Sequence, residues 1–154
     1  MDINEITETI GSWDNHLSPI QKKYIHYNSF RNFILYFPEI PGTDAKEDIV
    51  RLLEKYITDV KENDFYFDAN TGLDLANKYM TGISNYYSLY LNFKSKIKIT
   101  DVLIWGFMGD SILYLTGFSK KIAYVPIIML ALLSYYILVY CFKERKNKVY
   151  GLFY

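Results

Sequence analysis

The 154-residue chain is poor in cysteine and histidine, with one cysteine (Cys141) and two histidines (His16 and His26). A lone cysteine excludes an internal disulfide framework, and these side chains are too few for a zinc finger or a three-histidine metal site. Proline and glycine are also scarce, at 4 and 8 residues, whereas tyrosine and phenylalanine number 16 and 10, which excludes a collagen-like or disordered chain. We therefore expect a folded protein that binds no metal and no cofactor.

The short motifs that mark common active sites are missing as well. There is no G-x-S-x-G nucleophile turn, no H-E-x-x-H zinc motif and no glycine loop that would cradle a phosphate. The two histidines stand ten residues apart on either side of a helix start, so they do not share a helix face. We predict that the protein is not an enzyme, with a membrane-anchored enzyme as the remaining alternative.

Charge is unevenly distributed, although the formal net charge is zero. Residues 1–74 carry 14 acidic and 7 basic side chains, a net charge of −7, so residues 75–154 carry +7. An acidic front part is a poor surface for phosphates, which require clustered lysine and arginine. We therefore expect no nucleic acid partner, and the basic, apolar rear part indicates contact with a lipid bilayer.

Two apolar segments in the rear part predict a transmembrane hairpin over residues 99–142. Residues 122–142 are 21 residues without a formal charge, enough helix for about 30 Å, the thickness of a bilayer core. Residues 102–118 are less apolar because they include three glycines and Asp110, and only residues 119–121 separate the two segments. We predict that both segments span the membrane; the alternative for the first is an interfacial or re-entrant helix.

Basic residues around the hairpin predict its orientation. Seven stand outside the two spans and two in the connecting turn, so by the positive-inside rule both termini face the cytoplasm. The seven are Lys94, Lys96, Lys98, Lys143, Arg145, Lys146 and Lys148. The acidic N-terminus lacks the layout of a signal peptide, and we expect a multi-pass protein of the cell inner membrane.

The fold class predicted for the chain is all-α, with a small cytoplasmic helical bundle over residues 1–98 ahead of the hairpin. Start signals and apolar periodicity predict helices there over about residues 3–10, 18–37, 43–62 and 71–93. The clearest start is Ser18-Pro19-Ile20-Gln21, which combines an N-cap serine, a proline at the first helical position and the glutamine of a capping box. Residues 143–154 form a basic and aromatic cytoplasmic tail, either folded back onto the inner leaflet or frayed.

Asp110 is the candidate functional residue of the first span. A carboxylate at mid-span costs about 2.5 to 3.5 kcal/mol and normally faces a bundle interior, a partner or water. Small or polar residues accompany it, namely Gly106, Gly109, Ser111 and Thr116. We predict an intramembrane polar site from these residues, the alternative being a shallow span that leaves Asp110 near the headgroups.

The last helix of the bundle carries more aromatic side chains than one buried stripe needs. They are Tyr79, Tyr86, Tyr87, Tyr90 and Phe93. Exposed aromatic side chains are favoured at protein interfaces, so this set predicts a surface for self-association or for a protein partner. The alternative is that these side chains pack against the first helix and the bilayer surface.

The layout of the whole chain, a cytoplasmic helical domain followed by a two-span hairpin, resembles that of small prokaryotic membrane effectors in antiviral and abortive-infection systems. In such effectors a sensing event causes the spans to assemble and leak the membrane. The resemblance implies a membrane-perturbing effector that forms a pore or depolarises the cell. The alternative is a membrane-anchored binding protein, either an immunity protein against a membrane-acting toxin or an accessory subunit of a membrane complex.

Overall fold

The computed structural model describes residues 1–95, 99–117 and 126–151, which divide into two compact units. The first unit consists of residues 1–95 and 147–151, and the second of residues 99–117 and 126–146. The described residues are mostly helical, with one pair of two-residue strands, so the predicted all-α class is confirmed.

The described residues of the first unit form helices joined by turns. One short strand precedes the second unit in the chain and another follows it. In chain order the elements are α1 (Ile3–His16), α2 (Pro19–Tyr24), α3 (Tyr27–Tyr36), a 3₁₀ turn (Phe37–Glu39), α4 (Thr43–Glu62), α5 (Ala69–Leu75), a π-helical turn (Ala76–Met80), α6 (Thr81–Leu91), β1 (Lys94–Ser95) and β2 (Val149–Tyr150).

The capping box predicted at the start of α2 is present. The backbone N–H of Gln21 donates to Ser18 Oγ at 3.3 Å, and the backbone N–H of Ser18 donates to Gln21 Oε1 at 3.0 Å. The predicted continuous helix to Phe37 is wrong, because His26 adopts a left-handed conformation with φ 56° that ends α2 and starts α3. The break changes which face is buried, so that Ile20 stays 67% exposed.

The helix predicted to start at Thr71 begins two residues earlier. Asp68 is its N-cap, and Asp68 Oδ1 accepts the backbone N–H groups of Asn70 at 2.9 Å and Thr71 at 2.8 Å. Thr71 completes a capping box because its Oγ1 accepts the backbone N–H of Asp68 at 2.9 Å. A threonine thus fills the place that glutamate or glutamine takes in the usual form of this box.

Aromatic rings form the centre of the first unit's core, between α3, α4 and α6. Phe30 and Tyr56 stack with ring centroids 3.6 Å apart and an interplanar angle of 10°, and the rings of Phe33 and Tyr87 lie 4.7 Å apart. The hydroxyl of Tyr56 donates to the carbonyl of Ile25 at 2.7 Å, and that of Tyr87 donates to the carbonyl of Phe33. Each buried phenol therefore has the partner that its burial requires.

The last described residues of the chain belong to this core, which the sequence did not predict. β2 pairs with β1 in parallel, with Lys94 opposite Val149 and Ser95 opposite Tyr150. The side chain of Val149 is buried, and the ring of Tyr150 lies 5.7 Å from that of Phe33. We call residues 147–151 the tail segment; it packs on the first unit as a strand.

Two buried polar side chains of α3 hold the tail segment. Asn32 Nδ2 donates to the carbonyl of Val149 at 3.0 Å, and Ser29 Oγ accepts the backbone N–H of Gly151 at 3.1 Å. Buried amide and hydroxyl groups cost free energy unless they are hydrogen-bonded. The tail segment therefore satisfies two polar groups that a purely apolar helix face would not contain.

In the second unit the described elements are α7 (Ile99–Leu115), α8 (Ile127–Tyr136), a π-helical turn (Ile137–Cys141) and α9 (Phe142–Arg145). The bounds differ from those of the predicted spans, since α7 begins three residues before residue 102 and α8 begins five residues after residue 122. Residues 118–125, which include the predicted connecting turn, lie outside the described residues. Over the described ranges, no helix combines the length and the apolarity needed to cross a bilayer.

Candidate functional site

Asp110 caps the start of α8 from the neighbouring helix α7. Its Oδ1 accepts the backbone N–H of Ile128 at 2.9 Å, and its Oδ2 accepts the backbone N–H of Met129 at 3.1 Å. The first N–H groups of a helix lack partners within the helix and carry a partial positive charge, which a carboxylate neutralises. Since Pro126, the N-cap residue of α8, makes no side-chain cap hydrogen bond, Asp110 supplies the cap that α8 does not provide itself.

Two glycines of α7 allow this approach. A Cβ at Gly106 would lie 2.7 Å from the Cα of Met129, and a Cβ at Gly109 would lie 2.9 Å from Cγ2 of Ile128. These distances are shorter than real side chains tolerate, so α7 meets α8 through backbone that carries no side chain. The G-x-x-G spacing is thus a packing device that brings Asp110 within reach of α8.

Ser111 and Thr116, which the sequence grouped with Asp110, bond to their own helix instead. Ser111 Oγ donates to the carbonyl of Phe107 at 2.8 Å, and Thr116 Oγ1 donates to the carbonyl of Leu113 at 2.9 Å. Such back-bonding satisfies a hydroxyl in apolar surroundings without a partner helix. The structure therefore brings Asp110 together with Gly106 and Gly109, and leaves the two hydroxyl groups outside that contact.

The second unit exposes most of its large apolar side chains. On α7, Trp105 is 66%, Phe107 70% and Leu115 82% exposed, and on the π-helical turn Leu138 is 69% exposed. Gly106 is the buried residue of α7. Soluble monomers rarely present contiguous apolar surface on this scale, which marks a site for lipid or protein contact.

The predicted aromatic interaction surface is divided between the core and the surface of the first unit. Tyr79, Tyr87 and Phe93 are buried, because they face α3 and α4 across the core. Tyr86 is half-buried and donates through its hydroxyl to Asp48 Oδ2 at 2.7 Å, which leaves Tyr90 exposed at 44%. These five side chains therefore do not form one exposed patch, since three of them pack in the core of the first unit.

The basic residues expected to set the membrane topology lie in different elements of the structure. Lys94 lies in β1, Lys143 in α9, and Lys146 places its Nζ 5.8 Å from the ring centroid of Phe142. Lys148 Nζ lies 3.6 Å from Glu39 Oε2 and 4.6 Å from the ring centroid of Tyr36. Arg145 ends α9, and Lys96 and Lys98 fall outside the described residues. Lys148 thus helps to anchor the tail segment to the first unit.

A cluster of ionisable groups occurs at the π-helical turn of the first unit. Lys78 Nζ and Tyr79 Oη donate to Asp59 Oδ2 at 2.7 and 2.5 Å. Partial burial works against ionisation of Asp59, but the hydrogen bonds from Lys78 and Tyr79 lower its pKa. The bond to Asp59 raises the pKa of Lys78, and burial raises that of Tyr79, so neither is a base or nucleophile at neutral pH. The cluster fastens the turn to α4.

His26, one of the two histidines, is buried in the first unit. Its Nε2 lies 2.8 Å from the carbonyl oxygen of Gly72, which only accepts, so Nε2 carries the proton. Nδ1 is buried and has no hydrogen-bond partner among the residues that the structure describes. A Cβ at Gly72 would lie 2.6 Å from the carbonyl oxygen of Tyr24, so α5 fits closely against the end of α2. His26 closes this junction.

We expect the first unit to lose stability as the pH falls below about 6.5, the ordinary pKa of histidine. Burial lowers the pKa of His26, although its hydrogen bond to Gly72 opposes the shift. Between the lowered pKa and 6.5 the unfolded chain binds a proton that the folded chain does not, so stability rises with pH there. Urea unfolding from pH 5 to 8 measures the slope, followed by the fluorescence of Trp13 in a Trp105→Phe background that removes the second tryptophan.

The His26→Asn variant is the control for this pH dependence. Asparagine tolerates the left-handed conformation, and its Nδ2 can donate to the same carbonyl without titrating. The slope of stability against pH should be smaller in this variant between pH 5.5 and 6.5. An unchanged slope would assign the dependence to other groups.

No metal site was found in the part of the chain that the structure describes, since no three histidine, cysteine or carboxylate side chains converge there. Comparisons with protein families, curated proteins and solved structures add no functional assignment. No family model matches the chain, and neither a curated protein nor a solved structure matches it.

Proposed function

We propose that the protein is a membrane-perturbing effector whose second unit enters lipid as a two-helix hairpin, while the first unit receives or holds the signal. The observation that carries this proposal is the exposed apolar surface of α7 and α8, with side chains such as Phe107 and Leu115 more than two-thirds exposed. At about 25 cal/mol per Å² of apolar surface, leaving several such side chains in water is costly, and a lipid environment removes that cost. The assignment to prokaryotic antiviral defence rests on the resemblance of the layout.

The length of α7 supports perturbation rather than passive anchoring. Its 17 residues give roughly 25 Å of helix, less than the hydrocarbon thickness of about 30 Å. A bilayer accommodates a short apolar helix by thinning, or the helix accommodates the bilayer by oligomerising. Thinning would weaken the barrier around the hairpin.

The Asp110 cap favours entry of α7 and α8 into lipid together, because α8 depends on a side chain of α7 for its cap. In hydrocarbon each unsatisfied N–H of α8 would cost several kcal/mol, and the carboxylate satisfies those of Ile128 and Met129. In this arrangement Asp110 is a helix cap rather than a group that lines a pore. In the proposed orientation in the inner membrane both termini remain cytoplasmic, with Lys94 and Lys143 near the headgroups.

Dye release from vesicles tests this function. Full-length protein added to phosphatidylethanolamine–phosphatidylglycerol vesicles should sediment with them and release a trapped self-quenching dye. The Phe107→Glu variant places a charge on the exposed face of α7 and should lose most of both effects, because a charge in hydrocarbon costs about 2.5 kcal/mol or more.

The matched control is Tyr66→Glu, which adds the same charge at an 87% exposed position of the first unit and should behave as wild type. Protein that stays in the supernatant and releases no dye contradicts the proposal. Sedimentation without dye release would favour the membrane-anchored binding protein instead.

A further inference from the structure

A cavity of about 420 Å³ lies within the first unit, between α1 and α3. Ile10 and Gly11 of α1 form one side, Arg31 and Leu35 of α3 form the other, and Asn147 of the tail segment also lines it. Volumes of this size accommodate small organic ligands. Among the described residues of the first unit, none fills this space.

Gly11 keeps one wall of the cavity open. It lies in the interior of α1, where glycine costs about 0.5 to 1 kcal/mol relative to alanine, and a Cβ there would meet no atom within 4 Å. Neither close packing nor a positive φ requires glycine at this position. The missing side chain enlarges the cavity, and a larger residue would extend into it.

The lining indicates the chemistry of a ligand. Arg31 carries the formal charge of the lining, and in the described chain it makes no hydrogen bond or ion pair. Asp14, whose charge acts on Arg31, is itself paired with Lys22 at 2.8 Å. The guanidinium of Arg31 is exposed beside apolar side chains such as Ile10 and shares the charge of Asp14 with Lys22. It suits a ligand with an anionic head and an apolar body.

We infer that the cavity between α1 and α3 binds a small organic anion, a carboxylate or phosphate ester with an apolar portion, and that its occupancy strengthens docking of the tail segment. Two lining residues make the link: Asn32 donates to the carbonyl of Val149, and Asn147 begins the tail segment in a left-handed conformation with φ 52°. A ligand that contacts both residues stabilises the docked tail by its differential affinity. This coupling rests on the proposed function only in so far as the first unit is taken to receive a signal.

Phenyl phosphate is the probe that tests the site, because it joins a dianionic head to an apolar ring. Titrated into full-length wild-type protein by calorimetry, it should bind with a Kd on the order of 1 mM or tighter. Inorganic phosphate, which lacks the ring, and benzyl alcohol, which lacks the charge, should bind at least tenfold more weakly. Hydrogen exchange at the amides of Val149 and Gly151 should slow when phenyl phosphate is bound.

Three variants decide where the probe binds. Gly11→Leu fills the cavity and Arg31→Gln removes its charge, so each should weaken binding tenfold or more. Glu8→Leu alters an exposed position of the same helix and should bind as wild type. Melting temperatures no lower than that of wild type show that lost binding is not lost folding; that of Gly11→Leu should rise, because the helix loses an interior glycine.

Absence of phenyl phosphate binding, or binding that Gly11→Leu leaves intact, overturns the site. Binding without a change in exchange at Val149 and Gly151 overturns the coupling. Stronger binding of a short-chain phosphatidylglycerol below its micelle concentration would replace the free anion with a lipid headgroup. These measurements need no vesicles, so they stand or fall separately from the dye-release result.

Discussion

The Asp110→Asn variant is expected to lose most of its dye release from vesicles. Asparagine keeps the shape of the side chain but has one acceptor oxygen, and its amide N–H₂ would face the N–H of Ile128 or Met129. Losing a charged acceptor at a helix start costs about 2 kcal/mol. Faster hydrogen exchange at these two amides, together with reduced dye release, measures the effect.

The other carboxylate of α7 provides a matched control. The side chain of Asp101 has no hydrogen-bond or ion-pair partner within the described ranges, so Asp101→Asn makes the same chemical change without removing a cap. Dye release by Asp101→Asn should remain close to that of wild type. Equal losses in the two variants would mean that the negative charge matters and the cap does not.

The Val149→Asp variant is expected to release the tail segment from the first unit. The side chain of Val149 is 1% exposed, so a carboxylate there is either buried without a partner or withdraws the strand into water. Withdrawal loses the burial of a valine, the hydrogen bond that Asn32 donates and the one that Ser29 accepts, about 3 kcal/mol in total. Urea unfolding in the Trp105→Phe background, followed by Trp13 fluorescence, measures the loss, and limited proteolysis should cut after Lys148.

Asn147→Asp is the control for this substitution. It adds the same charge two residues earlier, at an exposed position whose left-handed conformation aspartate tolerates. Its stability should lie within about 0.5 kcal/mol of wild type. A similar loss in both variants would indicate a general effect of negative charge near β2.

Local sequence signals predicted the start of α2 and the buried face of α4. The capping box at Ser18 and the apolar face of α4, with Ile49, Leu53 and Tyr56 buried, are present as expected. The break at His26 was missed because nothing nearby in the sequence requires it. Its cause is tertiary: the imidazole bonds to the carbonyl of Gly72, 46 residues away in the chain.

The intramembrane polar site stays a prediction, but three of its residues lie together against α8 in the structure. Asp110, Gly106 and Gly109 were grouped because small and polar residues are unusual in an apolar segment, and they do contact α8. Their partners are backbone N–H groups, which a pattern of side chains does not reveal. Pro126 indicates such a partner, because a proline at the N-cap has no polar side chain. The first N–H groups of α8 then need an acceptor from another part of the chain.

The pairing of the tail segment could not be read from the sequence either. Strands of two residues carry no periodicity, and Lys-Val-Tyr-Gly after a basic run is typical of a frayed end. The buried polar positions Ser29 and Asn32 were the available clue. A stripe of α3 that mixes phenylalanines with hydrogen-bonding side chains indicates that something other than an apolar helix lies on it.

Parallel pairing of β1 with β2 makes the second unit an insertion within the first, rather than an appendage at its end. The entropic cost of closing a loop grows slowly with its length, by about 0.6 kcal/mol per doubling. The stability of the first unit therefore depends little on the length of the segment between the two strands. Hairpins of other lengths could therefore be exchanged at this position while the host keeps its own core. A single backbone cleavage inside the insertion would leave two fragments still joined through the strand pair.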